Sequence, residues 1–350
     1  MNLTKRVVSN HDNNHDNKDI IAYNVSFNNG FEVEILNLGG IITKIITPDK
    51  DGNLENIVVG YKDIESYIEN PSYFGAIIGR TAGRIYQGKI TIDEVEYDLA
   101  KNYNPNQGHG GEKGFNSKIW DVETLEEENS ITLKLNTKSM DMEENYPGNL
   151  DVCVSFKIYE DFKIEQTYEA TTDKNTLVNM TNHSYFNLSG DIKRPITDEY
   201  LTLDCDYILE LDETCAPTGE KLNVINTPFD FKEEMLIGQR IDDEHKQIQI
   251  GCGYDHPFVL NNNKDQIKLK DSISGRNMII DTDQKCVVIY AMNFPDNVKL
   301  YNGKYNQRRH GICFETQSAP IGKDMCFIQD SLLNKDEKYI QKTTYRFFVN

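Results

Sequence analysis

Near its middle the chain reads Thr181-Asn182-His183-Ser184-Tyr185-Phe186-Asn187-Leu188, which brings an imidazole, a phenol, amides and hydroxyls close together. A short apolar run, residues 177–180, leads directly into this motif. Because successive side chains of a strand point to opposite faces, a strand here places His183 and Tyr185 on one face and Asn182 and Ser184 on the other. The first pair could hold a polar, ring-shaped ligand and transfer a proton to it. A buried histidine fixed by its neighbours would produce the same local pattern.

The segments on either side of this motif carry the alternating pattern of β-strands. Residues 25–27 and 31–35 flank Asn28-Asn29-Gly30, where Asn-Gly supplies the positive φ of a tight hairpin turn. Helical periodicity is weak and confined to residues 63–67 and 232–241. Many short strands without intervening helices predict an all-β fold, a large antiparallel β-sandwich with few short helices.

The 350-residue chain shows neither a fixed-period repeat nor a linker rich in Pro, Gly or Ser, so residues 1–350 are predicted to form one domain. Residues 10–18 form a polar tract rich in Asn, Asp and His. His11 and His15 have a spacing that can chelate a metal on a helix, but Asn and Asp are poor helix formers. The tract is therefore predicted to be a flexible insertion.

Composition limits the classes of partner. A hydrophobic content of 38% with 10% aromatic residues is enough for a sizeable core. The net charge of −19 argues against nucleic acid, which is bound through clustered Lys and Arg, and against an anionic membrane. No apolar run approaches the roughly 18 residues of a membrane span, and the first residues lack the apolar core of a secretory signal. The sequence leaves the oligomeric state open.

The cysteines indicate a compartment. The seven cysteines are scattered, odd in number and without a C-x-x-C pair. This pattern favours free thiols in a reducing environment. Together with the absence of a signal, it leads us to expect a cytoplasmic protein.

Four other segments carry side chains that could act together with the central motif. Gly79-Arg80-Thr81-Ala82-Gly83-Arg84-Ile85 offers two guanidinium groups, each able to donate a pair of hydrogen bonds to hydroxyls or to a carboxylate. Asn106-Gln107-Gly108-His109-Gly110-Gly111 places an imidazole among glycines that let the backbone approach a ligand closely. Gly253-Tyr254-Asp255-His256-Pro257-Phe258 and Phe314-Glu315-Thr316-Gln317 each set a carboxylate beside an aromatic ring. Surface arginines, an ordinary turn and surface carboxylates are the alternatives for these segments.

Taken in order, these segments resemble those of the aldose 1-epimerase (galactose mutarotase) family. The matching motifs are G-R-x-A-x-R-I at 79–85, H-G-G at 109–111, T-N-H-S-Y-F-N-L at 181–188, G-Y-D-H at 253–256 and E-T-Q at 315–317. The resemblance covers most of the chain, from about residue 37 to residue 317. It implies a β-supersandwich isomerase that interconverts the α and β anomers of free hexoses such as galactose and glucose, with no cofactor and no metal.

The resemblance also implies roles for individual residues. Glu315 looks like the general base and His183 like the general acid. The groups that look like sugar contacts are the side chains of Arg84, His109, Tyr185 and Asp255. The motif at 79–85 adds Gly83 and Arg80 to the candidate substrate-binding residues. Of the two arginines, Arg84 is the expected sugar contact. The residue types suit the reaction, because mutarotation needs one group to take the proton of the C1 hydroxyl and another to protonate the ring oxygen.

Two positions depart from the family pattern and leave the preferred sugar open. Gly83 stands where the family often has Asn, which removes an amide from the site. An alignment of residues 298–301 with a family strand puts Lys299 where a sugar-contacting Gln can sit.

Two other functions and a metal site are alternatives to this prediction. A hexose-phosphate mutarotase would need basic groups for the phosphate, and the candidates are Arg80, Lys113, Lys118 and Lys299. A non-catalytic sugar-binding module would need neither an acid nor a base. A metal site built from His109, His183, Asp255 and Glu315 is conceivable from the ligand types, although the family needs no metal.

Overall fold

The computed structural model describes residues 1–9 and 18–350, so the predicted insertion at 10–18, apart from Lys18, lies outside the described residues. The described ranges are built mainly from short strands. In chain order these strands are β1 (Asn2–Ser9), β2 (Ile20–Ser26), β3 (Glu32–Leu36), β4 (Ile42–Pro48), β5 (Leu54–Asn56), β6 (Ile77–Ile78), β7 (Arg84–Ile85), β8 (Lys89–Ile92), β9 (Val95–Asp98), β10 (Gln107–Gly108), β11 (Asp121–Glu127), β12 (Ser130–Ser139), β13 (Leu150–Tyr159), β14 (Lys163–Thr172), β15 (Thr176–Leu177), β16 (Thr181–Asn182), β17 (Tyr185–Phe186), β18 (Tyr200–Leu203), β19 (Cys205–Leu211), β20 (Pro217–Asn223), β21 (Met235–Leu236), β22 (Asp255–Leu260), β23 (Ile267–Lys270), β24 (Arg276–Thr282), β25 (Cys286–Tyr290), β26 (Ile312–Gln317), β27 (Leu332–Leu333) and β28 (Lys338–Val349).

Helical structure is limited to short pieces in the part of the chain that the structure describes. The α-helices are α1 (Ser66–Glu69) and α2 (Lys246–Gly251). Single 3₁₀ turns cover Tyr86–Gly88, Phe115–Ser117, Glu143–Asn145, Ile196–Asp198, Ile237–Gln239, Lys323–Met325 and Ile328–Asp330.

Three antiparallel sheets carry most of the strands. A five-stranded sheet has the order β1-β2-β3-β4-β5. A nine-stranded sheet has the order β11-β12-β13-β14-β28-β24-β23-β18-β21, and a six-stranded sheet has the order β17-β26-β25-β22-β19-β20. The other strands form four two-stranded pairs, β6 with β16, β7 with β10, β8 with β9 and β15 with β27.

The predicted hairpins form where turn chemistry and alternation agree. Strands β2 and β3 pair in the register Val25↔Val33, and the turn between them uses Gly30 at φ 87°. In β13 and β14 buried side chains alternate with more exposed ones, as expected for strands with one face on the core.

One hydrophobic core joins the three large sheets. It includes Val33 of the five-stranded sheet, Phe156 of the nine-stranded sheet and Ile289 of the six-stranded sheet, all of them fully buried. Sheets that share a core in this way form the antiparallel β-sandwich expected from the sequence.

The helix predictions were partly right. Helix α1 overlaps residues 63–67, but residues 232–241 form no α-helix. Their backbone pairs with β18 through β21, in the register Leu201↔Met235, so tertiary pairing overrides the weak helical pattern. The second α-helix follows instead at Lys246–Gly251.

Two further observations concern membrane-spanning helices and the state of the cysteines. Among residues 1–9 and 18–350, no helix has the length and apolar character needed to span a bilayer. All seven cysteines are free thiols.

Candidate active site

A cavity of about 250 Å³ opens against one face of the six-stranded sheet. The opposite wall comes from loops of the first third of the chain, at Pro71–Tyr73, Gly83–Arg84, Tyr103 and His109. The volume is slightly below the roughly 300–1,000 Å³ of pockets for drug-sized ligands, so the cavity suits one small molecule.

Strand register decides which side chains of the sheet reach this cavity. In β25, Val287 and Ile289 belong to the core, while Val288 and Tyr290 line the cavity. Tyr290 pairs with Asp255 on one side and with Cys313 on the other, and Val288 pairs with Glu315. Because opposite residues of neighbouring strands point to the same face, Asp255 and Glu315 arrive on the cavity side although 60 residues separate them in sequence.

The central motif is divided between two short strands. Thr181 and Asn182 pair with β6, and Tyr185 and Phe186 pair with β26. His183 and Tyr185 line the cavity, whereas Asn182 points away and donates from Nδ2 to the carbonyl oxygen of Gly75 at 2.8 Å. The alternation expected from the sequence therefore holds across the break between the strands.

The imidazole of His183 and the carboxyl of Glu315 face each other. His183 Nε2 lies 3.4 Å from Glu315 Oε1, and both side chains are almost fully buried. Burial lowers the pKa of His183 to about 4, against a smaller opposing effect of a hydrogen bond to its own backbone. Burial and then the charge of Asp255 raise the pKa of Glu315 well above its ordinary value, while Arg84 opposes this. Both the doubly protonated and the fully deprotonated pair are therefore disfavoured, and the pair retains one proton over a wide pH range.

Arg84 lies in one of two short strands that pair with each other, and His109 directly follows the other. Strands β7 and β10 pair Arg84 with Gly108, and the N–H of the next residue, His109, donates to the carbonyl oxygen of Gly83 at 3.0 Å. Arg84 Nη2 lies 3.6 Å from Asp255 Oδ2. Burial raises the pKa of Asp255, and the neighbouring guanidinium opposes the shift. One wall of the cavity thus carries a cation and an anion side by side, suited to hydrogen bonds with hydroxyls.

His109 is held in a conformation that few side chains adopt. Its φ is 50°, in the left-handed region, and its buried Nδ1 has no hydrogen-bond partner among the described residues. Burial, followed by the nearby His183 and Arg84, lowers the pKa of His109 well below its ordinary value. A neutral imidazole aimed into a cavity can donate or accept a hydrogen bond, depending on its tautomer.

Tyrosine rings enclose the two imidazoles, and sequence reasoning missed three of them. Tyr73 lies 5.0 Å from the His109 ring and 5.8 Å from the His183 ring, and Tyr103 lies 5.6 Å from His109. Tyr290 lies 6.4 Å from His183. Tyr290 could have been found from the alternation in residues 287–290, once the cavity face of that strand was known. Tyr73 and Tyr103 stand in loops without a sequence signal.

Two positions named from the sequence lie elsewhere. Arg80 is buried outside the cavity, where its guanidinium donates to backbone oxygens including those of Pro147 at 2.9 Å and Gly148 at 2.8 Å. The structure therefore does not bring Arg80 to the site and gives it a role in holding loops. Lys299 is exposed and does not line the cavity, so the structure gives no support to a sugar contact at this position.

Gly83 does line the cavity, and its surroundings explain the departure from the family pattern. Its φ is +71°, and a Cβ added there would lie 2.8 Å from Cγ of Pro320. The backbone conformation and the adjacent proline both favour glycine at this position.

Three cavity side chains form a possible metal-binding group. Donor atoms of His109, His183 and Glu315 lie within 4.8 Å of one another, and two imidazoles with a carboxylate are ligands that zinc accepts. Asp255, the fourth ligand considered from the sequence, is paired with Arg84 instead.

A β-sandwich whose cavity joins a buried carboxyl–imidazole pair to an arginine–aspartate pair is the framework of an acid–base enzyme for a small polar substrate. Comparison with known proteins specifies the class. Residues 22–346 match the family model described as aldose 1-epimerase. The chain belongs to the aldose 1-epimerase family, and it is therefore an isomerase.

Individual relatives agree with this assignment. Human galactose mutarotase is 35% identical over 321 residues, which cover 91% of each chain. Aldose 1-epimerase of Streptococcus thermophilus is 30% identical over 342 residues, covering 95% of this chain and 96% of the relative. The crystal structure of galactose 1-epimerase from Lactobacillus acidophilus NCFM superposes with a TM-score of 0.88 at 28% identity and covers all of both chains. The family and the supersandwich fold predicted from the motifs are thus confirmed.

Proposed function

We propose that this protein interconverts the α and β anomers of free hexoses such as galactose and glucose, with Glu315 as general base and His183 as general acid. The observation that carries the assignment of roles is the 3.4 Å approach of His183 Nε2 to Glu315 Oε1 in the cavity. The C1 hydroxyl and the ring oxygen of a pyranose are bonded to the same carbon. An acid and a base that serve both oxygens must therefore lie close together.

In the forward reaction the Glu315 carboxylate takes the proton of the C1 hydroxyl while His183 gives its Nε2 proton to the ring oxygen. The bond between C1 and the ring oxygen breaks, and the open-chain aldehyde forms. Rotation about the C1–C2 bond then presents the other face of the aldehyde. In ring closure the 5-hydroxyl returns its proton to His183, its oxygen attacks C1, and Glu315 returns a proton to the new C1 hydroxyl.

This reaction cycle requires that His183 and Glu315 together carry one transferable proton. A carboxylate with an imidazolium and a carboxylic acid with a neutral imidazole differ only in where that proton sits. The low pKa of His183 and the raised pKa of Glu315 favour the second form in the empty cavity, so the carboxylate–imidazolium form that opens the ring arises by proton transfer within the pair. The pair can therefore exchange roles for the return reaction.

The remaining predicted contacts would hold the sugar. In this proposal Arg84 and His109 donate to sugar hydroxyls and Asp255 accepts from them, which is supported by the position of all three residues in the cavity lining. Tyr185 donates its own hydroxyl hydrogen to the backbone oxygen of Ser72 at 3.0 Å, so it would meet the sugar as an acceptor and through its ring. Buried polar groups of this kind discriminate well between substrates, because a poorly matched sugar leaves them unpaired.

Exchange kinetics test the proposal directly. We expect the protein to accelerate the return of freshly dissolved α-D-galactose and α-D-glucose to their anomeric equilibrium, measured by polarimetry and by NMR exchange. A sugar that binds without faster exchange would identify a binding module instead.

Two properties of the whole chain complete the proposal. We place the protein in the cytoplasm, a location that its seven free cysteines support. We also treat residues 1–350 as one domain, supported by the single core shared by the three large sheets in the described ranges.

A further inference from the structure

One strand supplies neighbours for both nitrogens of the His183 ring. Cys313 and Glu315 are two residues apart on β26, so their side chains leave the strand on the same face. Glu315 Oε1 lies 3.4 Å from Nε2 of His183, and Cys313 Sγ lies 3.5 Å from Nδ1. The imidazole is thus held between a carboxyl and a thiol that share one rigid element.

The Cys313 thiol is shielded from solvent by its neighbours. Cys313 is fully buried and lies opposite Tyr185 on one neighbouring strand and opposite Tyr290 on the other. Burial, followed by the charge of Glu315, raises the pKa of the Cys313 thiol well above its ordinary value, so the sulfur stays protonated at neutral pH. Its position is therefore suited to contact with the imidazole and not to chemistry with solvent.

We propose that Cys313 is a positioning residue for the acid–base pair, because its sulfur receives the Nδ1–H of His183 and keeps Nε2 aimed at the reacting oxygen. This inference rests on the proposed function of His183. The mechanism moves only the Nε2 proton. In the form with a carboxylic acid, Glu315 donates to Nε2 and the ring hydrogen sits on Nδ1. In the imidazolium form both nitrogens carry hydrogen, so Nδ1–H faces sulfur throughout.

A sulfur acceptor at Nδ1 affects the acidity of the His183 imidazolium. Histidines often donate from Nδ1 to a carboxylate or a carbonyl, which stabilises the imidazolium. A thiol sulfur is a weak acceptor and stabilises it little. His183 therefore keeps its orientation and remains a strong acid toward the ring oxygen.

The test compares Cys313→Ala and Cys313→Ser with a matched control, Cys205→Ala, which truncates a fully buried cysteine on β19 of the same sheet. We expect Cys313→Ala to lower kcat about tenfold with KM nearly unchanged, because the ring loses its fixed orientation. Cys313→Ser should recover part of the rate. It should also shift the acid limb of the pH profile to higher pH, because a hydroxyl oxygen accepts more strongly and favours the imidazolium. Cys205→Ala should change neither kcat nor the profile.

A second measurement separates this inference from the proposed function. In protein with ¹⁵N-labelled histidine, the His183 signal, assigned by its loss in His183→Asn, should report an Nδ1–H tautomer in the wild type and a mixture in Cys313→Ala. This readout does not depend on catalysis, so it stands even if anomer exchange is absent. A wild-type Nε2–H tautomer, or a Cys313→Ala variant with unchanged kcat and pH profile, would overturn the proposal.

Discussion

At the scale of single residues, the site depends on two groups whose surroundings shift their proton affinities in opposite directions. Burial makes His183 a poor base and Glu315 a weak acid, so each group favours its uncharged form in the empty cavity. A hexose that enters the cavity brings hydroxyls that can exchange protons with both. The resting pair is thus prepared for transfer without a net change in charge.

Removing either member of the pair should reveal its role. Glu315→Gln keeps the shape of the side chain but has no basic oxygen, and His183→Asn has no group that titrates. Each should lower kcat for galactose by about 10²–10⁴-fold, the usual contribution of one positioned proton transfer. Sugar binding to Glu315→Gln, measured by calorimetry, should stay within a few-fold of the wild type. Full exchange activity in either variant would refute the assignment.

The same pair predicts a bell-shaped pH profile for kcat/KM. Below about pH 4 a second proton enters at His183 and the base is lost, so the rate falls toward acid. At alkaline pH the single proton leaves, at a value set by the raised pKa of Glu315. Asp255 contributes to that raised pKa and Arg84 opposes it.

Substitutions of Asp255 and of Arg84 should therefore move the alkaline limb of the pH profile in opposite directions. Asp255→Asn should shift it to lower pH and Arg84→Met to higher pH, although both variants lose overall rate with the sugar contact. The position of the limb, taken from kcat/KM against pH, is the measurement. Shifts of the same sign in both variants would contradict the electrostatic account.

How far the sequence could predict the site differs between its residues. His183, Glu315, Arg84, His109, Tyr185 and Asp255 stand in short motifs whose resemblance to the family indicated their roles, and all of them line the cavity. Arg80 stands in the same motif as Arg84 but is turned into the interior. Its neighbours at residues 139–148 come from a distant segment, and no local pattern records that contact.

At the scale of elements, short strands and tight turns place these residues. Strands β7 and β10 are only two residues each, and a turn at Gly110 and Gly111 follows directly. Side-chain alternation predicted the strands, but the order of strands in a sheet depends on pairing across the whole chain. Tyr290 could therefore be assigned to a strand in advance but not to the cavity.

The turn after His109 gives a prediction with an internal control. Gly110 has φ +86°, and a Cβ there would lie 2.0 Å from the carbonyl oxygen of Gly79. Gly52 has φ +84° with open space around it. Alanine at either position should cost about 1–2 kcal/mol for the left-handed backbone.

An added Cβ clashes with the backbone at Gly110 but meets nothing at Gly52. Gly110→Ala should thus lose more stability than Gly52→Ala in urea unfolding, and it should also lower kcat/KM by displacing His109. Equal losses of stability with normal activity in both variants would show that the turn does not position His109.

Arg80 allows a test of its structural role. It donates to Ser139 Oγ at 2.9 Å and to several backbone oxygens, and burial lowers its pKa to about 10, which leaves it charged at neutral pH. Arg80→Met would leave several buried acceptors unpaired, at about 1–3 kcal/mol each. We expect a loss of at least about 3 kcal/mol of unfolding free energy with KM for galactose unchanged in the folded fraction. A raised KM with normal stability would return Arg80 to the sugar site.

At the scale of the whole molecule, charge separates a free sugar from a phosphorylated one. The chain carries a net charge of −19, and Arg84 is the one lysine or arginine among the described residues that line the cavity. Arg84 is already paired with Asp255. Of the other cations considered for a phosphate, Arg80 is buried elsewhere, Lys118 pairs with Glu143, and neither Lys113 nor Lys299 lines the cavity.

This distribution predicts how salt affects two related substrates. Galactose is neutral, so its kcat/KM should not change between low salt and about 1 M NaCl, where the Debye length falls to roughly 3 Å. Galactose 6-phosphate meets an acidic surface and a cavity whose described lining offers no unpaired cation, so its kcat/KM should be lower at low salt. Screening should then raise it as salt is added, because added ions weaken the repulsion. The measurement is exchange NMR on both sugars across a salt series, with the rate without enzyme subtracted at each concentration. A phosphorylated sugar that is preferred at low salt and loses that preference at high salt would instead require a cationic subsite, and the free hexose would no longer be the natural substrate.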